Sequence, residues 1–283
     1  IDDSSFEFLS SYLDIDLREN RESYQEIIST TKDIINNSLE KAKENLEQGN
    51  YKGSECAREI ANLYDHVIKN YYQYLNAHNY ISKNKTDFEK MAIIATGGYG
   101  RGKISPGSDI DLLFLMPFKK TAWAESVTEN LLYFLWDLGL KIGHASRNIN
   151  ECLTLSAKDQ TITTSLLDAR YICGDREVKK VFDKKFRGTI SKRSSKEFID
   201  AKLTERESRH IKEGQSRYLV EPNIKNGKGG LRDLESLSWM TNFCYQASRP
   251  EQMFKKGILT EREAESFKKC EDFLWYVRSV SYT

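Results

Sequence analysis

Proline is scarce in this chain of 283 residues: there are four, none before Pro106 and none between Pro117 and Pro222. Proline breaks a helix by removing an N–H donor and crowding the preceding turn, so its absence leaves long stretches free to stay helical. Cysteine supplies no framework either. The five cysteines (56, 152, 173, 244, 270) are dispersed, odd in number and lack a C-x-x-C spacing. That excludes a disulfide scaffold or zinc ribbon and predicts reduced, buried thiols in a cytoplasmic protein. Long apolar runs are missing too. Leu112–Met116 and Leu131–Trp136 are among the longest, far short of the ~18 residues a membrane span requires. No membrane span and no basic-then-apolar secretory leader is expected. The chain starts at Ile1 and stops at Thr283 inside a helical pattern, so a piece of a longer protein is expected.

An excess of either charge is also lacking. Forty-three Lys and Arg oppose forty-two Asp and Glu, for a net charge of +1. Nucleic-acid binders usually carry a clear basic surplus, so polymeric nucleic acid is disfavoured as a partner. The distribution is uneven: residues 1–30 hold eight acids and two bases, whereas 176–217 hold fourteen bases and seven acids. Such a basic stretch reads either as a solvated, salt-bridged helix face or as a face that meets phosphates or an acidic partner. What the chain does have is 39% hydrophobic and 30% charged residues, enough to bury a core, over about twice the usual domain length.

Apolar residues at helical spacing (Ile27, Ile28, Ile34, Ile35, Leu39; Ile60, Leu63, Val67, Ile68) predict two long helices over 20–80, with Tyr71, Tyr72 and Tyr74 as packing residues. The pattern then changes. A short apolar run closing Phe88–Thr96 predicts a buried strand, Asp109–Met116 a second, and Leu140–Ile149 a third, with an apolar helix at Thr121–Leu138. Helical patterning returns near 158–172, 175–187, 195–218, 231–247 and 260–280, and the four tryptophans are expected in cores. The organisation predicted is a helical segment at 1–87, a small sheet-containing core at 88–150 and a helical domain at 151–283.

Five of the sixteen glycines fall within 97–107. Gly97 and Gly98 follow directly on the first strand, where bare backbone N–H groups can approach a phosphate, with Arg101 and Lys103 within one turn. The stretch lacks the Gly-Lys-Ser/Thr ending of a P-loop and the spacing of a dinucleotide-binding fingerprint. Ten residues on, Asp109 and Asp111 stand at i and i+2 of a strand, on one face and roughly 7 Å apart, while Ile110 and Leu112 turn inward. Two carboxylates so placed can share divalent cations for in-line nucleotidyl transfer, and Mg²⁺ prefers such oxygen donors.

Gly97-Gly98-Tyr99-Gly100-Arg101-Gly102 followed by Ser108-Asp109-Ile110-Asp111-Leu112-Leu113 resembles the polymerase-β-type nucleotidyltransferase superfamily. More narrowly, it resembles the bacterial protein-PII uridylyltransferases. Leu135–His144, Leu166–Arg170 with Cys173-Gly174-Asp175, and Glu221–Asp233 are similar to the same family in the same order. The resemblance implies an α+β fold, a small mixed sheet flanked by helices and followed by an all-α helical domain. It implies transfer of UMP from UTP to a tyrosine hydroxyl of the PII signalling protein, releasing pyrophosphate, in nitrogen regulation. A uridylyl-removing hydrolase domain is expected in the parent chain but not within these residues. Asp109 and Asp111 would hold two Mg²⁺ (or Mn²⁺) ions, one for the tyrosine oxygen and one for the triphosphate. Gly97, Gly98, Arg101 and Ser108 would contact the nucleotide. His144, Lys225, Lys228 and Arg232 are further candidate contacts, the last three in a glycine-rich loop that reads either as a phosphate cradle or as a helix connection. Many superfamily members carry a third carboxylate on a later strand, but Leu140–Ile149 has none. Either His144 substitutes, or the acid comes from Asp137, Glu151, Asp168 or Asp233, or none is needed. Adenylylation of another protein, such as glutamine synthetase, and a silent nucleotide-binding module are the alternatives.

Overall fold

Ala92–Ala95 is a run of four fully buried apolar residues, and a strand buried on both faces must find a partner on each edge. In the computed structural model, which describes residues 3–12, 20–78, 89–213 and 223–280, it does so. This strand, β1, pairs antiparallel with β2 (Ile110–Met116) on one side and with β4 (Arg170–Gly174) on the other. β3 (Ile142–Asn148) lies parallel to β2 at the edge, giving the order β3-β2-β1-β4. The sheet is mixed, as expected. The parallel pair requires a crossover, and α4 (Ala122–Asp137) supplies it, started by Thr121, whose hydroxyl accepts the Ala124 amide at 3.2 Å.

Two compact units divide the chain: residues 1–44 with 58–186, and 45–57 with 187–283. The sequence divisions at 87/88 and 150/151 both fall inside the first. In that unit, α1 (Arg21–Glu47) buries Ile27, Ile28, Thr31 and Ile35, and α2 (Gly53–His78) buries Ile60, Leu63, Val67 and Ile68. Tyr71 of α2 stacks on Phe134 of α4 with ring centres 3.6 Å apart, so the tyrosines are packing residues, as expected. The segment 158–172 is not a single helix. α5 (Ile149–Lys158) and α6 (Gln160–Leu167) end before β4 begins. Arg170-Tyr171-Ile172-Cys173-Gly174 lacks an apolar alternation of its own and becomes a strand because β1 offers a free edge.

In the second unit, α8 (Ser195–Lys212) and α9 (Leu231–Tyr245) run antiparallel. Phe198 stacks on Phe243 at 4.0 Å, Lys202 lies over Trp239 at 5.3 Å, and Arg209 pairs with Asp233. The predicted extension of α8 to 218 lies in part outside the described residues. A short α10 (Pro250–Lys255) was not expected; it begins with proline, whose fixed φ suits the first helical position. α11 (Glu261–Val280) places Trp275 against Leu231 and Ala57, and α7 (Arg176–Ile190) crosses from the first unit to the second in sequence. Tryptophans 239 and 275 are buried, but Trp136 is 43% exposed and is not a core residue. Cys56, Cys152 and Cys173 are buried thiols in no disulfide, whereas Cys270 is exposed. No described helix is long and apolar enough to cross a membrane.

Gly53, at the start of α2, has the closest surroundings of the described glycines in the second unit. A Cβ there would lie 2.1 Å from the Tyr276 amide nitrogen and 2.3 Å from the Asp272 carbonyl. Alanine is favoured over glycine in a helix by up to about 1 kcal/mol, but overpacking against backbone costs about 1–3 kcal/mol, so the clash dominates. Gly53→Ala should lower the urea midpoint of unfolding; an unchanged or raised midpoint would contradict this packing.

Candidate active site

The end of β1 and the start of β2 are joined by a hydrogen bond from the Thr96 amide to the Asp111 carbonyl, 3.0 Å. It continues the register Ala95↔Leu112 and brings the glycine loop beside the carboxylate strand. Ile110 and Leu112 are buried, Asp111 is half-buried, and Asp109, one residue before β2, is exposed. The alternation is the one expected from a strand period of two.

Thr96 enters α3 (Gly97–Gly100) in extended conformation without a side-chain cap; its hydroxyl points instead to the Asp111 carbonyl at 3.5 Å. Gly97 has φ +54°, a region that side-chain-bearing residues avoid. A Cβ there would also stand 2.7 Å from Asp111 Oδ2. Opposite it, Gly143 is the β3 partner of Asp111, and a Cβ at 143 would fall 2.3 Å from Oδ1. The Asp111 carboxylate thus rests between two bare backbones. Gly143 was not singled out as a site residue, although a glycine inside a strand is a signal of close approach.

Arg101 donates to Asp168 Oδ2 at 2.7 Å and, weakly, to the Gly97 carbonyl at 3.4 Å, and its Nη2 is the group nearest to where a Gly98 Cβ would lie, 3.7 Å away. Ser108 shares a 2.8 Å hydroxyl contact with Ser105. Tyr99, fully buried in the loop, donates its phenol to Asp65 of α2. Burial and that neighbouring carboxylate push the phenol well above its usual pKa, so it stays protonated as a donor.

The donor set of Asp109 and Asp111 is carboxylate oxygen, which suits Mg²⁺ or Mn²⁺, and the glycine cradle leaves room at Asp111. No described group of three His, Cys, Asp or Glu side chains converges on a metal position. Each candidate for a third acid already has a partner. Asp137 accepts the Tyr24 hydroxyl at 2.7 Å, Glu151 closes a capping box at the start of α5, Asp168 pairs with Arg101, and Asp233 accepts Arg209 and His210. His144 pairs with Leu112 and therefore projects from the other side of β3 than Gly143; it is exposed, edge-on to Trp136 at 6.0 Å. The structure does not bring it to Asp111.

In the second unit, the loop at 223–230 turns the amides of 225–227, 229 and 230 back on itself and on Asp233; Glu221 and Pro222 lie outside the described residues. Asn223 Oδ1 accepts the amides of Lys225 (3.1 Å) and Asn226 (2.9 Å), and the Asn223 carbonyl accepts that of Gly227. The amides of Leu231 and Arg232 return to the carbonyls of Ile224 and Lys225, and Gly229 donates to Asp233 Oδ2 at 2.8 Å. Gly229 has φ +82°, and a Cβ on Gly230 would meet the Ile224 carbonyl at 2.5 Å. The glycines are required by the turn. Lys225 and Lys228 are exposed, while Arg232 pairs with Glu235 at 3.0 Å and covers the Trp239 ring. Asp233 also receives Arg209 and His210 Nε2 (3.0 Å). Burial raises its carboxyl pKa, but the Gly229 amide, His210 and Arg209 outweigh burial and hold it below the ordinary value.

The nucleotidyltransferase domain family matches residues 79–164, and the GlnD PII-uridylyltransferase family matches 197–280. The chain is 47% identical over 238 residues to the bifunctional uridylyltransferase/uridylyl-removing enzymes of two Caulobacter vibrioides strains (NA1000 / CB15N and ATCC 19089 / CIP 103742 / CB 15). Each alignment takes in 84% of this chain and 25% of the relative. The chain therefore spans about a quarter of the length of these curated relatives.

Two outcomes follow from the geometry. Gly143→Ala should displace the Asp111 carboxylate and weaken any Mn²⁺ binding there, read by electron paramagnetic resonance, roughly 10–100-fold, with the circular dichroism spectrum unchanged; unaltered affinity would break the link between Gly143 and the seat of Asp111. For Asp233, a lowered carboxyl pKa means stabilisation that is complete above the unfolded value near 3.8 and lost as pH falls through the lower folded value. Asp233→Asn should cost about 1 kcal/mol at neutral pH, modest for a partly exposed group, and should flatten the fall in stability below about pH 4. A variant that keeps the full acid sensitivity would show that another carboxylate is responsible.

Proposed function

We propose that this chain, which belongs with the PII-uridylyltransferases and carries their nucleotidyltransferase domain, transfers UMP from UTP to a tyrosine hydroxyl of PII, releasing pyrophosphate, in nitrogen-status signalling. The observation that carries the reading is the Asp111 carboxylate seated between Gly97 and Gly143, directly beside a glycine loop that enters a helix without a side-chain cap.

The acceptor phenol oxygen attacks the α-phosphorus of UTP, the bond to the β-phosphate oxygen breaks, and pyrophosphate departs in line. Gly97 and Gly98 present backbone close to the triphosphate, and Arg101, steadied by Asp168, adds positive charge on the same side. Ser108, hydrogen-bonded to Ser105, supplies a hydroxyl at the turn that leads into the carboxylate pair. Asp109 and Asp111 would hold the divalent cations, whose charge would offset that of the triphosphate and favour ionisation of the acceptor phenol. No side chain of β3 is given the part of base: the face shared with Asp111 carries Gly143, Ala145 and Arg147. The phenolic proton leaves to solvent.

The test is label transfer from α-labelled UTP to purified PII with Mg²⁺, beside α-labelled ATP. Label from UTP alone, abolished in Asp111→Asn with the fold retained, is the expected result. Transfer from ATP to glutamine synthetase would mark an adenylylating enzyme instead. UTP binding without turnover would mark a silent module.

A further inference from the structure

Four charged residues hold the glycine loop in two ion pairs on either side of Gly100, and of these only Arg101 is placed against the nucleotide above. On one side, Asp168 Oδ2 accepts Arg101 Nη1 at 2.7 Å, with only 8% of the Asp168 side chain exposed. On the other, Arg170 at the start of β4 reaches Asp65 of α2 with both terminal nitrogens, one of them at 3.0 Å, and its Nη2 also donates to the Tyr99 carbonyl at 3.3 Å. Asp65 in turn accepts the buried Tyr99 hydroxyl. The Arg170 guanidinium lies over the Tyr99 ring at 5.2 Å. Between the two pairs, Gly100 rests directly on the backbone of Asp168: a Cβ at 100 would stand 2.3 Å from the Asp168 carbonyl. Asp168 and Arg170 lie outside both family-matched regions, which end at 164 and resume at 197.

The arrangement has the character of a clamp. Paired, forked contacts fix an arginine in direction as well as in distance, and breaking one partner of a half-buried pair leaves the other uncompensated. Tyr99 is fully buried and ties the loop to α2 through Asp65. It occupies a four-residue helix whose half-buried members are the two glycines proposed to meet phosphate. Whatever fixes Tyr99 and Arg101 fixes Gly97 and Gly98.

Resting on the nucleotidyl-transfer reading of this site, we infer that Asp168 and Arg170, the latter through Asp65 and Tyr99, are positioning residues that set the height of the glycine loop over the triphosphate. They do not touch the reacting atoms. A loop that grips the triphosphate does so in the ground state and the transition state alike, so loosening it raises KM and leaves kcat at saturating UTP nearly unchanged. General damage to the fold would instead lower the amount of active enzyme and with it kcat.

The test uses the full-length chain with three variants. Tyr99→Phe removes one hydroxyl, Arg170→Lys keeps the charge but not the fork, and Asp168→Asn keeps the shape but not the charge. Asp111→Asn is the control. The readouts are KM and kcat for UTP with PII, UTP affinity by calorimetry without PII, and the melting temperature. Each variant should raise KM and the UTP dissociation constant roughly tenfold, in keeping with the sensitivity of bound geometry to sub-ångström shifts, while kcat stays within about twofold. Unchanged KM and affinity in Tyr99→Phe and Arg170→Lys, with wild type active and Asp111→Asn inactive, would overturn the clamp and leave the transfer reading standing. A parallel fall in kcat and melting temperature at constant KM would overturn it as well, marking the residues as purely structural. A wild-type chain that neither binds UTP nor transfers label would remove the transfer reading and the clamp with it.

Discussion

The antiparallel pairing of β1 with β2 is the constraint on which the candidate site depends. It joins the last apolar residues of one strand to the first of the other, and the Thr96 amide to the Asp111 carbonyl. Because that bond lies at the ladder's end, the chain leaving β1 must turn at once, beside the residue that opens β2. A slip of one residue would send Asp111 to the buried face and Ile110 or Leu112 to the loop. The full burial of Ala92–Ala95 and of Leu112–Met116 opposes such a slip. Hydrophobic burial therefore sets the position of a charged group, a division of labour in which the core supplies rigidity and the strand end supplies chemistry.

Much of this was legible in the sequence because it rests on local pattern. The apolar run before Gly97, the Asp-x-Asp alternation and the glycine cluster are all short-range signals, and the three strands they predict are present. β4 was not legible, because Arg170–Gly174 has no strand pattern of its own and takes its conformation from the edge of β1. The roles of Asp65 and Asp168 were hidden for a related reason. An acid on a long helix or at a helix end looks like any solvated residue until the fold brings an arginine to it across 105 or 67 positions. His144 is a case in the opposite sense. Its residue type suggested chemistry, but strand periodicity puts it with Leu112 and not with Asp111. The same holds for the glycines at 227–230, whose spacing suits a phosphate cradle and a tight turn equally well. Only the destination of each amide distinguishes them, and here the amides of 225–227 and 229–232 close the turn.

The second unit is held differently. The α8–α9 seam is lined with cations laid over aromatic rings and with carboxylates, where a helix pair usually interlocks aliphatic side chains. Lys202 is 3% exposed and covers Trp239, while Arg209 and His210 meet on Asp233. Polar seams of this kind contribute less to stability than an apolar one, but they discriminate strongly between alignments, since any shift strands a charge. The basic bias of 176–217 is in part this seam, the Lys and Arg side chains turned toward α9, and only in part a solvated surface.

The seat of Asp111 ties two distant positions into one unit of inheritance. With a carboxylate at 111, position 143 admits no side chain, because a Cβ would occupy the space of Oδ1. With a small neutral residue at 111, that prohibition lapses. Lineages that have abandoned the chemistry should therefore drift at both places together, and a glycine kept on the edge strand becomes a footprint of the acid across from it.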